Sequence, residues 1–421
     1  MFMKKCFLLI GLLAITTITQ SQILKKIADR VKERTQNNVN NKVDTTVDNA
    51  AKNVLNKTSN KNSEDKDKDK GVATTEENKK VTTSGLKSYS KYDFVPGEKI
   101  IVFEDFIQDA IGDLPAKWNT DAACETVTIE GQSGQWMKMT QKGVFRPDFI
   151  DSIPQDCTIE FDLMVDKPSG SWGIIPVLAE LENRDKPQDW RDAKNYFQLT
   201  LLTPGEDGNA WTDYYKKKNG DIEHTPGVKM TAFSDLTKPV HVSMWRQKER
   251  LRIYLNEEKA WDVPKAIDPE AKLNSFILVI ELKGNWNYYM SNLRLAVGAP
   301  DTRKKILEQN KWVTHGILFD VNSDNIKPES FGTLKEMANV LKENPDLKVK
   351  IVGHTDADGS DATNLDLSKR RAAAVKEMLS KEFGIDASRM ETDGKGESEP
   401  IDNNTTPAGK ANNRRVEFIK I

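Results

Sequence analysis

The run Leu347-Lys348-Val349-Lys350-Ile351-Val352-Gly353-His354-Thr355-Asp356 leads through a polar turn, Ala357 to Asp361, into Asn364-Leu365-Asp366-Leu367-Ser368-Lys369-Arg370-Arg371-Ala372. The first run has the two-residue period of a strand over Leu347–His354, and the second opens a helix reaching Phe383, with Leu367, Val375, Met378 and Leu379 on one face and Gly384 as its stop. A strand feeding a long helix through a polar turn is half of an α/β unit. Towards the N-terminus, Val313–Phe319 reads as a strand and Pro328–Lys342 as a helix with Phe331, Leu334, Ala338 and Leu341 on one face. Asn344-Pro345 ends that helix, because proline lacks the backbone donor that a further turn needs. Met390–Lys395 and Arg415–Ile421 supply two more strands, so residues 305–421 are predicted to form a small α/β sandwich of β-α-β-α-β-β order.

Chemistry collects at the carboxyl end of the quoted strand. Open α/β sheets bind ligands there, which favours Asp356. Arg371 sits on the apolar stripe of the following helix, four residues from both Leu367 and Val375, and a charge in that position needs a partner. Two readings stand side by side. One is an internal ion pair with Asp356 or Asp366; the other is a cleft suited to an amino-acid zwitterion, with Asp356 taking the ammonium and Arg371 the carboxylate. Arg370 points away into solvent. His354 beside Asp356 reads as a structural strand-end residue, since no Ser or Cys nucleophile is placed next to it.

The segments Phe319-Asp320-Val321-Asn322-Ser323-Asp324, Gly353-His354-Thr355-Asp356, Asn364 to Ala372, Gly394-Lys395-Gly396-Glu397 with Pro400, and Asn413-Arg414-Arg415-Val416-Glu417 occur in this order within one short region. Together they resemble the C-terminal peptidoglycan-binding domain of the OmpA family. The resemblance implies non-covalent binding of the peptidoglycan stem peptide, with the diaminopimelate side chain held between an Asp and an Arg. By motif these are Asp356 and Arg371, with Asn364, Thr355, Leu367, Asp320 and Arg414 supporting or lining the site. Lys395 departs from the pattern, standing where the family more often has an aromatic residue. The family often carries an eight-stranded membrane barrel as well, but here no regular ten-residue strands with aromatic girdles precede the domain.

Between residues 96 and 300 the pattern changes to short β-runs punctuated by Gly, Pro, Asn and Asp. Thr158–Val165 alternates with Ile159, Phe161, Leu163 and Val165 on one side, and Leu251, Ile253 and Leu255 repeat the pattern. About ten such strands predict a two-sheet β-sandwich. Phe103-Glu104-Asp105-Phe106, Leu114-Pro115-Ala116-Lys117-Trp118, Thr158-Ile159-Glu160-Phe161-Asp162 and Leu251-Arg252-Ile253-Tyr254-Leu255-Asn256 resemble concanavalin A-like or laminin G-like jelly rolls. Eight of the nine Trp lie in this region, which admits two uses: filling the space between sheets, or stacking on sugar rings. Trp190, Trp211, Tyr214 and Tyr215, in loop-like contexts, are the stacking candidates. A glycosidase needs paired carboxylates, and the nearest pattern, Glu160 and Asp162 followed by Val165, lacks the third acid, so no enzyme is expected, with a wall-docked glycan-binding or glycan-cleaving jelly roll as the alternative reading.

The N-terminus reads as a secretory signal peptide over residues 1–21: Lys4 and Lys5, an apolar stretch from Cys6 to Ile15, then small and polar residues to a cleavage point near Ser21. Cys6 precedes the apolar run and is misplaced for lipidation. Residues 22–95 read as a linker, helical where Ile23, Ile27 and Val31 repeat and too polar to fold beyond residue 56; any membrane contact would be peripheral. Export leaves Cys124 and Cys157 in an oxidising compartment, either bridged or as two buried thiols.

Four scattered His suggest no metal site, and no cofactor is expected. With 62 Lys and Arg against 64 Asp and Glu, the net charge of -2 disfavours nucleic acid as a partner. The sequence therefore predicts an exported periplasmic or outer-membrane-associated tether. Its C-terminal domain grips peptidoglycan, and a sandwich joined to that domain by an exposed linker engages a carbohydrate or an envelope protein.

Overall fold

The alternation in Thr158–Val165 sorts its side chains between two surroundings. Ile159, Phe161, Leu163 and Val165 enter a large apolar core, while Thr158, Glu160 and Asp162 share the opposite face and are buried there too. The computed structural model describes residues 92–421 except 168–172, 205–208, 282–285 and 299–301; the expected signal peptide and residues 22–91 of the expected linker lie outside the described residues, as does Trp172.

Among the described residues, fifteen strands lie between Lys99 and Val297. The first eight are β1 (Lys99–Glu104), β2 (Trp118–Thr120), β3 (Cys124–Val127), β4 (Trp136–Met139), β5 (Gly143–Pro147), β6 (Asp156–Val165), β7 (Gly173–Ala179) and β8 (Tyr196–Leu202). Then come β9 (Ala210–Lys218), β10 (Asp221–Met230), β11 (Val240–Gln247), β12 (Arg250–Leu255), β13 (Glu258–Val263), β14 (Ser275–Ile280) and β15 (Tyr288–Val297). One sheet has the order β13-β12-β11-β6-β15-β4-β3, with β1 also paired to β15; the other has the order β10-β9-β8-β7-β14-β5-β2. Side chains from both sheets form the shared core, where the rings of Phe161 and Phe276 meet at 5.3 Å. The strands not anticipated include the three-residue β2 and the mostly polar, exposed β10, which apolar alternation does not mark.

The remaining elements form a four-stranded sheet with helices. Its strands β16 (Lys311–Thr314), β17 (Val349–His354), β18 (Met390–Gly396) and β19 (Val416–Lys420) take the order β16-β19-β17-β18, with β17 and β18 parallel. Helices α1 (Thr302–Glu308), α2 (Phe331–Glu343), α3 (Asp361–Lys381) and α4 (Pro407–Asn413) complete the domain. Leu334, Met337 and Leu341 of α2 and Val375 and Leu379 of α3 pack on Ile351 and Phe418 of the sheet. α1 is absent from the anticipated β-α-β-α-β-β order, and so is α4. Its Pro-Ala-Gly-Lys-Ala-Asn-Asn sequence has no apolar period, and its only local signal is the Thr406 cap, which accepts from Gly409 N at 3.1 Å, followed by Pro407.

The two domains are not separated by an exposed linker. The described residues from 92 to 421 belong to one compact unit. Tyr92 and Phe94, expected within the linker, are buried with Tyr254 of the sandwich, and Phe331 of α2 packs against the same cluster. The Tyr92 hydroxyl donates to Glu329 O at 3.2 Å, and Lys305 pairs with Glu98 at 2.5 Å. On the same sheet face, Arg294 donates to Glu160 at 3.0 Å and to His315 O at 3.2 Å, while His241 bridges Asp162 (2.6 Å) and Glu160 (3.4 Å). Although burial disfavours a charged imidazole, Asp162 and Glu160 push His241 up to about 10. Glu160 and Asp162 are thus buried partners in an ion cluster beside the joint, and an open carboxylate pair is not what they present.

Of the two readings left open for the cysteines, the unbridged one holds, and two of the stacking candidates fall. Cys124 and Cys157 are free thiols. They sit on β3 and β6, three strand spacings apart across β4 and β15, at roughly 4.8 Å per spacing, which is beyond disulfide reach. Among the stacking candidates, Trp190 lies in a short 3₁₀ turn but is fully buried against Tyr196, and Tyr214 is buried, stacked on Phe197 at 5.3 Å. Neither offers a ring face to solvent. Tyr215 stacks on His224 at 4.1 Å, and Trp211 stays 42% exposed.

Candidate functional site

α3 lies directly on β17 and β18 because glycines clear its path. A β-carbon on Gly353 would fall 2.3 Å from Ser368 O, and one on Gly394 would fall 2.4 Å from Lys369 N. This close seating brings the first turns of α3 against the carboxyl end of β17, where Thr355 and Asp356 follow His354. The start of α3 is fixed by Ser360, whose side chain accepts from Thr363 N at 3.3 Å.

Asp356 is buried. Its Oδ2 accepts from Arg414 Nη1 at 2.5 Å, and its Oδ1 takes a long 3.3 Å bond from Asp358 N. Asn364 braces the turn, donating to the carbonyls of Asp356 (3.3 Å) and Asp358 (3.1 Å) and to the Glu397 carboxylate. Thr355 anchors the strand end through its amide to Gly396 O at 2.9 Å, while its buried hydroxyl finds no partner among the described residues. Leu367 is buried on the same helix face.

Arg371 forms neither of the ion pairs that spacing suggests. Its Nε donates to Ser323 O at 2.9 Å, its Nη2 reaches Asp320 O at 3.4 Å, and the guanidinium lies 4.8 Å over the Phe319 ring. Burial pulls Arg371 down to about 10, with Arg414 adding to the effect and Asp356 opposing it. Asp366 instead pairs with Arg370 at 2.9 Å, and Arg370 also holds Asp324 at 2.7 Å, so that exposed arginine is paired at the surface. Asp320 itself is exposed and contributes its carbonyl.

The structure therefore brings Asp356, Thr355, Asn364, Leu367 and Arg414 together at the end of β17. Arg371 lies near enough for both Asp356 and Arg414 to act on its charge. Phe319, Glu397 and the Ser323 carbonyl hold these groups in place and were not singled out from the sequence, although all three lie in the quoted motifs. His354 is buried at the strand end, its Nε2 3.6 Å from Glu417, too long for a hydrogen bond. Lys395 settles on the surface between Asp393 (3.5 Å) and Glu399 (3.6 Å).

This arrangement sets a buried carboxylate and a guanidinium held by carbonyls at one end of the sheet in an α/β domain. Residues 318–414 match the model of the OmpA family, so the chain carries an OmpA family domain in its C-terminal part. Outer membrane porin F of Pseudomonas aeruginosa is 41% identical over 101 residues, 24% of this chain and 29% of that protein. The probable lipoprotein YiaD of Escherichia coli is 44% identical over 104 residues, 25% of this chain and 47% of that protein. The match thus spans less than half the length of either relative. A peptidoglycan-associated lipoprotein structure from Burkholderia pseudomallei is 29% identical, covering 27% of this chain and 92% of that chain with a TM-score of 0.24. The periplasmic or outer-membrane-associated location read from the sequence agrees with relatives named as outer-membrane proteins and lipoproteins.

Proposed function

We propose that the C-terminal domain binds the stem peptide of peptidoglycan non-covalently and tethers the β-sandwich to the cell wall. Asp356 takes the ammonium of the diaminopimelate side chain and Arg371 its carboxylate, with Asn364, Thr355, Leu367, Asp320 and Arg414 holding or lining the cleft. The observation that carries this reading is that neither charge neutralises the other. Asp356 spends one oxygen on Arg414, and Arg371 is held by carbonyls and a ring, with no carboxylate among its partners in the described residues. A zwitterion completes both sets at once. The unpartnered Thr355 hydroxyl is a further group for a ligand to satisfy.

In this reading the chain is exported by the signal peptide at residues 1–21. The sandwich is a concanavalin A-like module, and Trp211 is the expected stacking residue still open to solvent. The test uses the full chain with purified sacculi and with stem peptides carrying either diaminopimelate or lysine. Asp356→Asn and Arg371→Ala should each weaken diaminopimelate binding by about 2–5 kcal/mol while keeping the fold. Sedimentation of both variants with sacculi at wild-type level would refute the assignment.

A further inference from the structure

Arg414 is gripped from two sides that belong to different domains. Asp356 of the C-terminal domain accepts its Nη1 at 2.5 Å, and the ring of Phe103, on strand β1 of the sandwich, lies 5.2 Å from its guanidinium. The chain leading to Arg414 is fastened to the same strand. The side chain of Asn412 in α4 accepts from Ile100 N at 3.0 Å and donates to Ile100 O at 2.9 Å, while Ala411 is buried with Ile100 and Ala296, and Ala408 and Phe103 pack against them. Arg414 directly follows α4, so the sandwich sets both where its backbone emerges and which way its side chain leans.

We propose that Phe103 is a positioning residue of the wall-binding cleft, so that the cleft is complete only with strand β1 of the sandwich docked beside it. This rests on the stem-peptide reading given above. The Arg414 side chain is about one-third exposed, and a long side chain with that freedom has many rotamers. The ring confines it to the one in which a single guanidinium nitrogen meets Asp356 Oδ2. Oδ1, held only by the long bond from Asp358 N, is then left facing the ligand ammonium. Without the ring Arg414 is free to swing over both carboxylate oxygens or to leave them, and either change alters the charge that the ligand meets. Wall binding and the state of the sandwich are thereby coupled through one ring and one guanidinium.

The experiment measures binding of a diaminopimelate-containing stem tripeptide to the full chain by calorimetry. Phe103→Ala and Phe103→Leu should each lose roughly threefold to tenfold in affinity, the second while retaining apolar packing, and Phe103→Tyr should restore it. In an Arg414→Ala background, Phe103→Leu should change nothing further, because the ring acts through that guanidinium. Wild-type affinity in Phe103→Leu, or an equal loss with and without Arg414, overturns the inference. Arg371→Ala separates the two claims. If it abolishes binding while Phe103→Leu does not, the cleft reading stands and the positioning role falls; if it binds as wild type does, both fall.

Discussion

Asn412 satisfies both main-chain hydrogen-bonding groups of Ile100, standing in for a neighbouring strand at the edge of the sandwich. The contact is buried and joins residues more than 300 positions apart in sequence. It shows how two domains of different class share one joint: a side-chain amide carries the donor and acceptor that a peptide would supply. Asn412→Ala leaves both Ile100 groups buried and unpaired, which should cost about 2–4 kcal/mol. Urea unfolding of the full chain is the measurement; a loss under about 0.5 kcal/mol would show that water replaces the amide.

Gly332 opens α2 against the chain of Phe94. A β-carbon there would lie 2.0 Å from Phe94 O, a backbone atom that has little room to move. Gly332→Ala should destabilise the joint by about 1–3 kcal/mol despite the better helix propensity of alanine. Faster proteolysis near residues 92–98 should accompany the loss, and a variant as stable as wild type would contradict so tight a seating.

His241 ties stability to alkaline pH. Unfolded, it loses its proton near its ordinary value of 6.5; folded against Asp162 and Glu160 it holds the proton to about 10. Folding therefore binds a proton between these values. The contribution is fully present below 6.5 and is lost as pH rises towards 10, at about 1.4 kcal/mol per unit. His241→Gln should flatten that slope, and an unchanged slope would place the proton elsewhere.

Glu417 acts at the acid end. Burial alone would raise its pKa, but the close cations Lys311 and Arg415, with the more distant His354, hold it at about 2. Its contribution is present above its ordinary value of 4.5 and is lost as pH falls from there through 2. Acid unfolding of Glu417→Gln should show a shallower stability loss across that window.

The buried Cys157 should react with an alkylating reagent only after unfolding and the half-buried Cys124 only slowly before it, since burial pushes both thiols up to about 12. The melting temperature should be the same with and without reductant, and a reductant-sensitive melt would reveal a bridge.

The two neighbouring arginines of α3 should behave differently. Arg370 pairs at the surface with Asp366 and Asp324, so Arg370→Ala should cost under about 1 kcal/mol in stability and leave stem-peptide binding unchanged. Arg371→Ala should weaken that binding by about 2–5 kcal/mol, and equal effects of the two substitutions would remove the distinction drawn between them.

Much of the C-terminal domain was legible because its signals are local. The period of Leu347–His354, the stripe of Leu367, Val375 and Leu379, and the stops at Asn344-Pro345 and Gly384 depend on neighbours a few residues away. Asp356 and Arg371 followed from their places on those elements. Their partners did not: Asp356 meets Arg414, 58 residues on, and Arg371 meets a carbonyl 48 residues back, and no helical spacing encodes either contact.

Side-chain periodicity and turn chemistry act over a few residues, so an all-β region followed by a small α/β domain, with Asp356 at a strand end and Arg371 on a helix stripe, is readable from the chain alone. That the two regions pack together, that Glu160 and Asp162 are spent on His241 and Arg294, and that Phe103 meets Arg414 are consequences of tertiary structure. Burial and charge pairing depend on which surfaces meet, and that meeting joins residues hundreds of positions apart.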